Sequence, residues 1–191
     1  MKKISILAAL VLTSILIGAC GGSAKESDAD KFAQTAEQQA KTQATVTQAA
    51  TKPPTATKVT PSSGERNIGT KPKIPKASGA APTSLKVEDL IEGSGAAAKD
   101  GDKLSVRYVG NLYDTNKEFD SSWKRGKAPF QFTLGQGQVI PGWDQGLLGM
   151  KVGGRRRLTI PADLAYGAQG QPPTIPANST LVFDVDLTKI G

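Results

Sequence analysis

The carboxyl-terminal part of this sequence predicts an antiparallel α+β domain, built mostly of strands with one short helix. Three observations support this class. The composition changes at about Thr83, beyond which large apolar residues become frequent. Apolar and polar residues then alternate in several short runs, as is typical of half-buried strands. Only residues 141–150 have helical spacing, and the ~108 residues from 84 to 191 are enough for one hydrophobic core.

The first nineteen residues have the features of a secretory signal. Lys2 and Lys3 provide its charged start, and residues 4–17 form an apolar run shorter than the ~20 residues needed to span a bilayer. Small residues then precede Cys20, the only cysteine of the chain. The order Leu-Ile-Gly-Ala-Cys resembles a bacterial lipobox, in which the chain is cut before the cysteine and the thiol carries a diacylglycerol. A leftover free cysteine is the alternative.

Residues 20–83 are predicted to form the lipidated N-terminus and a disordered linker. They are rich in Ala, Thr, Lys, Gln, Ser and Pro, and they hold too few apolar side chains to offset the entropy of ordering the chain. A weak helix over about 28–44 is the one local structure that we expect there, and it lacks an apolar stripe. The segment would serve as a tether or as a solvated tail without a task.

The net charge of +7 lies mostly outside the predicted domain. Residues 21–83 carry nine basic and five acidic side chains, whereas residues 84–191 carry thirteen basic and twelve acidic ones. We therefore expect no nucleic-acid-binding face on the domain. The chain has no histidine, which excludes a histidine base, a Ser-His-Asp triad and the usual zinc site. We expect no metal and no cofactor.

Four runs of alternating polarity predict the strands of the domain. They are, in order, residues 104–113, 130–134, 155–160 and 180–190. The first is expected to turn at Gly110-Asn111. The helix over 141–150 begins with Pro141, which suits the first turn of a helix, and it places Trp143 and Leu147 on one side.

The charged residues of these strands are expected to face solvent. The run Arg155-Arg156-Arg157 is interpreted as a solvated edge rather than a binding patch. In the last strand, alternation places Asp184 and Asp186 on the outer face. The opposite face carries the apolar residues Leu181, Phe183, Val185 and Leu187.

Seven aromatic residues are expected to point inward: Tyr108, Phe119, Phe130, Phe132, Trp143, Tyr166 and Phe183. Aromatic residues on strands usually fill a core. The alternative is a pocket with Trp143 as its floor, because buried Tyr and Trp side chains need partners for their polar atoms. Asp120 could be an ordinary surface carboxylate. It could also pair with Arg125, close to the phenol of Tyr108.

Six motifs follow one another in the predicted domain: RYVG (107–110), FDSS (119–122), PFQFTLG (129–135), QVIPGWDQGL (138–147), LTIPADLAYGAQG (158–170) and LVFDVDL (181–187). Together they resemble the FKBP-type peptidyl-prolyl isomerases. They occur in family order and spacing within residues 84–191, and the signal and linker lie outside them. The resemblance implies a five- or six-stranded antiparallel sheet wrapped around one short helix.

The same resemblance implies a proline-binding pocket. Its lining would be Tyr108, Phe119, Asp120, Phe130, Val139, Ile140, Trp143, Tyr166 and Phe183. The backbone N–H of Ile140 and the hydroxyl of Tyr166 would donate hydrogen bonds to the bound peptide, and Ile175 would help close the pocket. Two departures concern substrate preference. The loop after FDSS is one residue longer than in the shortest members, and Ala177 stands where a second proline is common.

The implied activity is peptidyl-prolyl cis–trans isomerisation, in which an apolar aromatic pocket favours the twisted X–Pro amide. Together with the lipobox, it predicts a bacterial lipoprotein form in the cell envelope, anchored to a membrane through lipid on Cys20. Its partners would be proline-containing polypeptides, and the family's macrolide inhibitors are possible ligands. Two alternatives stay open: a non-catalytic peptide-binding module on the same fold, and an envelope-attachment protein that works through its basic tail.

Overall fold

The structure is a computed structural model that describes residues 55–59, 67–126 and 128–191. Its strands are β1 Thr57–Lys58, β2 Lys86–Ile91, β3 Lys103–Leu112, β4 Glu118–Ser121, β5 Phe130–Thr133, β6 Arg155–Ile160 and β7 Leu181–Ile190. Helix α1 spans Pro141–Gly146, and two short 3₁₀ helices span Ser122–Arg125 and Ala162–Leu164. The four predicted strands and the predicted helix are all present.

The strands form one sheet with the order β1-β2-β6-β7-β3-β4, and β5 pairs with the first half of β3. All neighbours are antiparallel except β1, which pairs with β2 in parallel through two residues. The sheet therefore has seven strands and is mixed. The expected five or six antiparallel strands did not include β1, which lies before the predicted start of the domain.

Helix α1 packs over the side of the sheet that holds the main core. A Cβ atom added to Gly142 would lie 2.4 Å from the side chain of Ile160 on β6, so glycine permits this close approach. The fully buried residues of this core include Leu104, Leu147, Leu158, Leu181 and Leu187. Among the described residues, no helix has the length and apolarity needed to cross a bilayer.

Strand β2 was not predicted, and it changes the surroundings of the arginine run. It pairs with the outer side of β6, so β6 lies inside the sheet and not at its edge. Its buried apolar residues, Val87 and Leu90, are three positions apart instead of two, because the pairing with β6 is irregular between Asp89 and Ile91. This bulge conceals the alternation that would have identified the strand.

All three arginines of β6 bind carboxylates and are largely buried, so the predicted solvated edge is wrong. Arg155 binds Asp186 through two hydrogen bonds of 2.5 and 2.7 Å. Arg157 binds Asp184 in the same way, at 2.7 and 2.8 Å. Asp184 and Asp186 do lie on the outer face, but their exposed fractions are 0% and 1%. Their positions along β7 place each directly opposite its arginine.

Arg156 points to the other face of the sheet. Its guanidinium binds Asp89 of β2 and donates hydrogen bonds to the backbone carbonyls of Gly146 and Leu148 at the end of α1, at 2.9 and 3.0 Å. A cation at the C-terminus of a helix stabilises its unpaired carbonyls. This arginine therefore ties β2, β6 and α1 together.

Strand β3 continues through the expected turn at Gly110-Asn111. The strand ends at Leu112, and the chain turns over residues 113–116. A register shift between Gly110 and Asn111 bends β3 opposite β4 instead. Glycine is needed at position 110 for packing, since an added Cβ would lie 2.7 Å from the ring of Phe183 and 2.8 Å from that of Phe119.

Residues 67–82, here called the arm, lie on the outer face of the sheet, which differs from the predicted disordered linker. Pro72 and Ile74 of the arm are buried. The amino-acid composition did not predict that the arm docks on the sheet. Many of its contacts with the sheet are made by backbone carbonyls, which are present whatever the sequence. The predicted signal, Cys20 and the weak helix over 28–44 all fall outside the described residues.

Candidate active site

Trp143 occupies the centre of an aromatic cluster at the start of α1. Pro141 begins the helix, and this fixes Trp143 in its first turn, facing the sheet. The Trp143 ring meets those of Tyr108 and Phe183 edge-on, at centroid distances of 5.1 and 5.3 Å, both with interplanar angles of 86°. Its indole nitrogen is buried and has no hydrogen-bond partner among the described residues. Trp143 is thus the buried centre of the aromatic cluster, and its role as a pocket floor stays a prediction.

Phe119 and Phe130 form the outer walls of this cluster. The Phe119 ring meets Phe183 edge-on at 5.5 Å, and the Phe130 ring meets Tyr108 at 6.0 Å. Both phenylalanines are only partly buried, whereas Tyr108, Trp143 and Phe183 are each at most 6% exposed. The cluster is therefore continuous with the core on one side and reaches the surface on the other.

A polar triangle borders the aromatic rings. The hydroxyl of Tyr108 donates a hydrogen bond to Asp120, and Arg125 binds both the Asp120 carboxylate, at 2.8 Å, and the Tyr108 oxygen. Burial raises the pKa of Tyr108, and the negative charge of Asp120 raises it further. The phenol therefore remains protonated at neutral pH. The structure forms the Asp120–Arg125 pair that the five-residue spacing suggested.

Two hydrogen-bond donors are available at this cluster. Within the described parts of the chain, the Ile140 N–H and the Tyr166 hydroxyl donate no hydrogen bond. Burial raises the pKa of Tyr166, as does the nearby charge of Asp120, so this hydroxyl keeps its proton. Val139, next to Ile140, is 8% exposed and belongs to the same apolar cluster.

Ile175 belongs to the core in this structure. Its exposed fraction is 0%, and its backbone forms an isolated bridge with Gln171 at distances of 2.7 and 2.9 Å. The bridge holds the loop after Tyr166 in a tight turn. Whether Ile175 contacts a bound peptide stays a prediction.

A cleft of about 510 Å³ opens beside the aromatic cluster. Phe130 of the cluster and Arg125 of the polar triangle both line it, and its other lining residues are Ser122, Ala128, Pro129 and Gln131. None of these last four was predicted from the sequence to belong to a site. The signal that could have found them was the additional residue in the loop after FDSS. The cleft is of mixed character, since Ser122, Arg125 and Gln131 are polar and the other three lining residues are apolar, whereas the adjoining cluster is aromatic.

Comparison with known proteins places the domain in a family. A family model described as "FKBP-type peptidyl-prolyl cis-trans isomerase" matches residues 94–188. An FK506-binding protein of Streptomyces anulatus is 50% identical over 121 residues, which cover 63% of this chain and 97% of that protein. FK506-binding protein 4 of Dictyostelium discoideum is 56% identical over 106 residues, or 56% of this chain, but the match spans only 28% of that protein.

A solved structure supports the same assignment. The crystal structure of AtFKBP13 has a TM-score of 0.53 and 38% sequence identity, and the match covers 58% of this chain and 96% of that one. The matched part corresponds in extent to the domain that carries the aromatic cluster. The chain belongs to the family of FKBP-type peptidyl-prolyl cis–trans isomerases.

Proposed function

We propose that this protein catalyses cis–trans rotation of X–Pro bonds in polypeptides. One observation carries the proposal. The partly exposed aromatic cluster around Trp143 occurs together with two unpaired donors, the Ile140 N–H and the Tyr166 hydroxyl. The apolar ring of a proline fits the aromatic cluster, and the carbonyl oxygens of the peptide fit the two donors. Membership of the isomerase family supports the same reaction.

The chemistry requires no proton transfer. Resonance in the planar amide creates a rotation barrier of about 18–20 kcal/mol. The planar amide is more charge-separated than the twisted one, so an apolar pocket favours the twisted form relative to water. A rate gain of about 10⁴ would need about 5.5 kcal/mol of such preference. The aromatic walls would supply the apolar surroundings, and the two donors would hold the peptide in place.

The activity is tested by following isomerisation of a proline-containing tetrapeptide with the purified protein. We expect catalysis, and we expect FK506 to inhibit it, since the relatives are named for binding that compound. If the peptide binds without any gain in rate, the protein is a peptide-binding module on the same fold. If it neither binds nor isomerises the peptide, the proposal fails.

The variant Tyr166→Phe should retain most of its activity. The substitution removes one hydroxyl, and a typical hydrogen bond contributes about 1 kcal/mol net, so kcat/KM should fall roughly fivefold. Steady-state kinetics on the tetrapeptide would measure the change, with the melting temperature as the control for folding. Complete loss of activity in a folded variant would show that the hydroxyl takes part in the chemistry.

The isomerisation rate should be nearly constant between about pH 5.5 and 8.5. The chain has no histidine, and the raised pKa values of Tyr108 and Tyr166 keep both hydroxyls protonated across this range. Stability should begin to fall above about pH 10, where tyrosines ionise in the unfolded chain but these two remain protonated in the folded one. A bell-shaped rate profile near neutrality would contradict the mechanism.

We also propose that the protein is a bacterial lipoprotein, anchored through Cys20 and acting on exported polypeptides in the cell envelope. The support is the apolar run that ends at the only cysteine. One acyl chain binds a membrane only marginally, so stable attachment requires the several chains of a lipoprotein. Cys20→Ala should abolish lipidation, seen by mass spectrometry as loss of the acyl groups. An unchanged mass after processing and unchanged detergent partitioning would refute the anchor.

A further inference from the structure

The arm, residues 67–82, supplies hydrogen-bond acceptors to a buried cation. Arg155 has an exposed fraction of 0%, and Asp186 binds only part of its guanidinium. One terminal nitrogen of Arg155 also donates to the backbone carbonyls of Asn67 and Thr70, at 3.2 and 2.9 Å. A buried guanidinium needs an acceptor for each of its donors. The start of the arm is therefore bound by a specific polar contact to the middle of the sheet.

The centre of the arm inserts an apolar side chain into a second, smaller core. Ile74 is 4% exposed and packs with Val109 of β3 and Val182 of β7. Tyr113 and Trp123 cover the sides of this cluster. Of its three buried side chains, the arm supplies one, so removal of the arm would open the cluster to water.

The arm also holds the turn between β3 and β4. The side chain of Asn116, in the turn, donates a hydrogen bond to the carbonyl of Ile74 at 3.2 Å. The Tyr113 hydroxyl donates to the carbonyl of Ala80 at 3.2 Å. Lys71 pairs with Glu118, the first residue of β4, at 2.8 Å. Three contacts thus reach one hairpin from the same segment.

This hairpin carries part of the candidate active site. β4 is four residues long and lies at the end of the strand order, with a single strand neighbour. Phe119 and Asp120 directly follow Glu118 on β4. Trp123, which packs beside Ile74, lies in the 3₁₀ helix that ends with Arg125. A short edge strand is weakly held by its ladder alone, so its position depends on what covers it.

We propose that the arm braces this wall of the pocket, and that Ile74 and Lys71 are positioning residues for Phe119 and Asp120. The inference rests on the proposed function, since it concerns binding of the same substrate. It extends the functional domain to residue 67. The arm acts on substrate binding through β4 and touches no reacting group.

The test compares Ile74→Ala with Lys73→Ala in the full chain. Lys73 is the preceding residue and is exposed, so its replacement controls for changes in the arm that leave the contacts intact. For Ile74→Ala we expect KM for the tetrapeptide to rise about threefold or more, with kcat within about twofold. Lys73→Ala should match the wild type. An unchanged KM in folded Ile74→Ala would overturn the brace.

Hydrogen exchange separates bracing from general stabilisation. In Ile74→Ala, the amides of β4 should exchange faster while those of β6 and β7 keep their protection. Equal acceleration across all strands would overturn the proposal. Should Ile74→Ala fail to fold, Ile74→Val removes a single methyl group and is judged by the same two measurements. If the wild type lacks isomerase activity, the proposed function fails. The bracing role is then judged separately, by hydrogen exchange of the β4 amides and by the affinity of Ile74→Ala for the peptide.

Limited trypsin digestion tests the docking itself. Cleavage after Lys73 and Lys76 should be about tenfold slower or more than cleavage after Lys41, in the predicted linker, because the docked arm must open before a protease can bind it. The stable fragment should then begin before residue 73. Cleavage after Lys76 at the same rate as after Lys41 would overturn the proposal.

Discussion

Phe183→Ala is expected to lower the free energy of unfolding by about 3–5 kcal/mol and kcat/KM by about tenfold or more. Phe183 is 4% exposed, and its ring contacts those of Trp143, Phe119 and Tyr108 at 5.3, 5.5 and 6.3 Å. The substitution leaves a cavity in the core and removes one apolar wall of the pocket. Urea unfolding gives the stability, and tetrapeptide kinetics well below the melting temperature give the activity.

Phe130→Ala separates these two effects. Phe130 is only partly buried, so its loss should cost less stability than the loss of Phe183. It still contributes a wall of the cluster and of the adjoining cleft, so kcat/KM should fall strongly. If Phe130→Ala keeps full activity, the aromatic cluster is a core and not a binding site.

Asp186→Ala should destabilise the fold by about 3–5 kcal/mol, because it removes the carboxylate that binds the buried guanidinium of Arg155 through two hydrogen bonds. The two side chains are 1% and 0% exposed and form two hydrogen bonds. The lost attraction accounts for only part of the destabilisation, since the Arg155 guanidinium also stays buried away from water. Thermal and urea unfolding of the single variant would measure the change.

The double variant Arg155→Met with Asp186→Leu provides the control. Apolar residues of similar volume often replace a buried ion pair without loss, so much of the stability should return. The recovery should be incomplete, since the carbonyls of Asn67 and Thr70 lose their donor. If Asp186→Ala were as stable as the wild type, the Arg155–Asp186 pair would have to be exposed to water in solution.

The sequence predicted the elements whose pattern is local. Strands β3, β5, β6 and β7 and helix α1 followed from alternation and from Pro141. The helix ends at Gly146, before the predicted residue 150, because glycines at 146 and 149 disfavour helix. The residues of the aromatic cluster were named correctly as inward-facing, and the six motifs gave the family.

What the sequence did not predict depends on contacts between distant segments. Arg155 and Asp186 are 31 positions apart, so nothing local shows that their charges are paired and buried. Strand β2 carries Asp89, which binds Arg156 of β6, and a bulge that interrupts its pattern. The arm resembles a disordered segment by composition, yet its carbonyls have a specific donor in Arg155.

The three arginines of β6 also bear on how the chain selects a single alignment of its strands during folding. Arg156 faces Asp89 on one neighbour, and Arg155 and Arg157 face Asp186 and Asp184 on the other. A shift of one residue between β6 and β7 would set Arg155 and Arg157 opposite apolar positions such as Val185, and it would separate both buried arginines from their aspartates. Misaligned sheets are thereby strongly disfavoured. The ion pairs distinguish the correct sheet from its competitors, a role separate from how much they stabilise it.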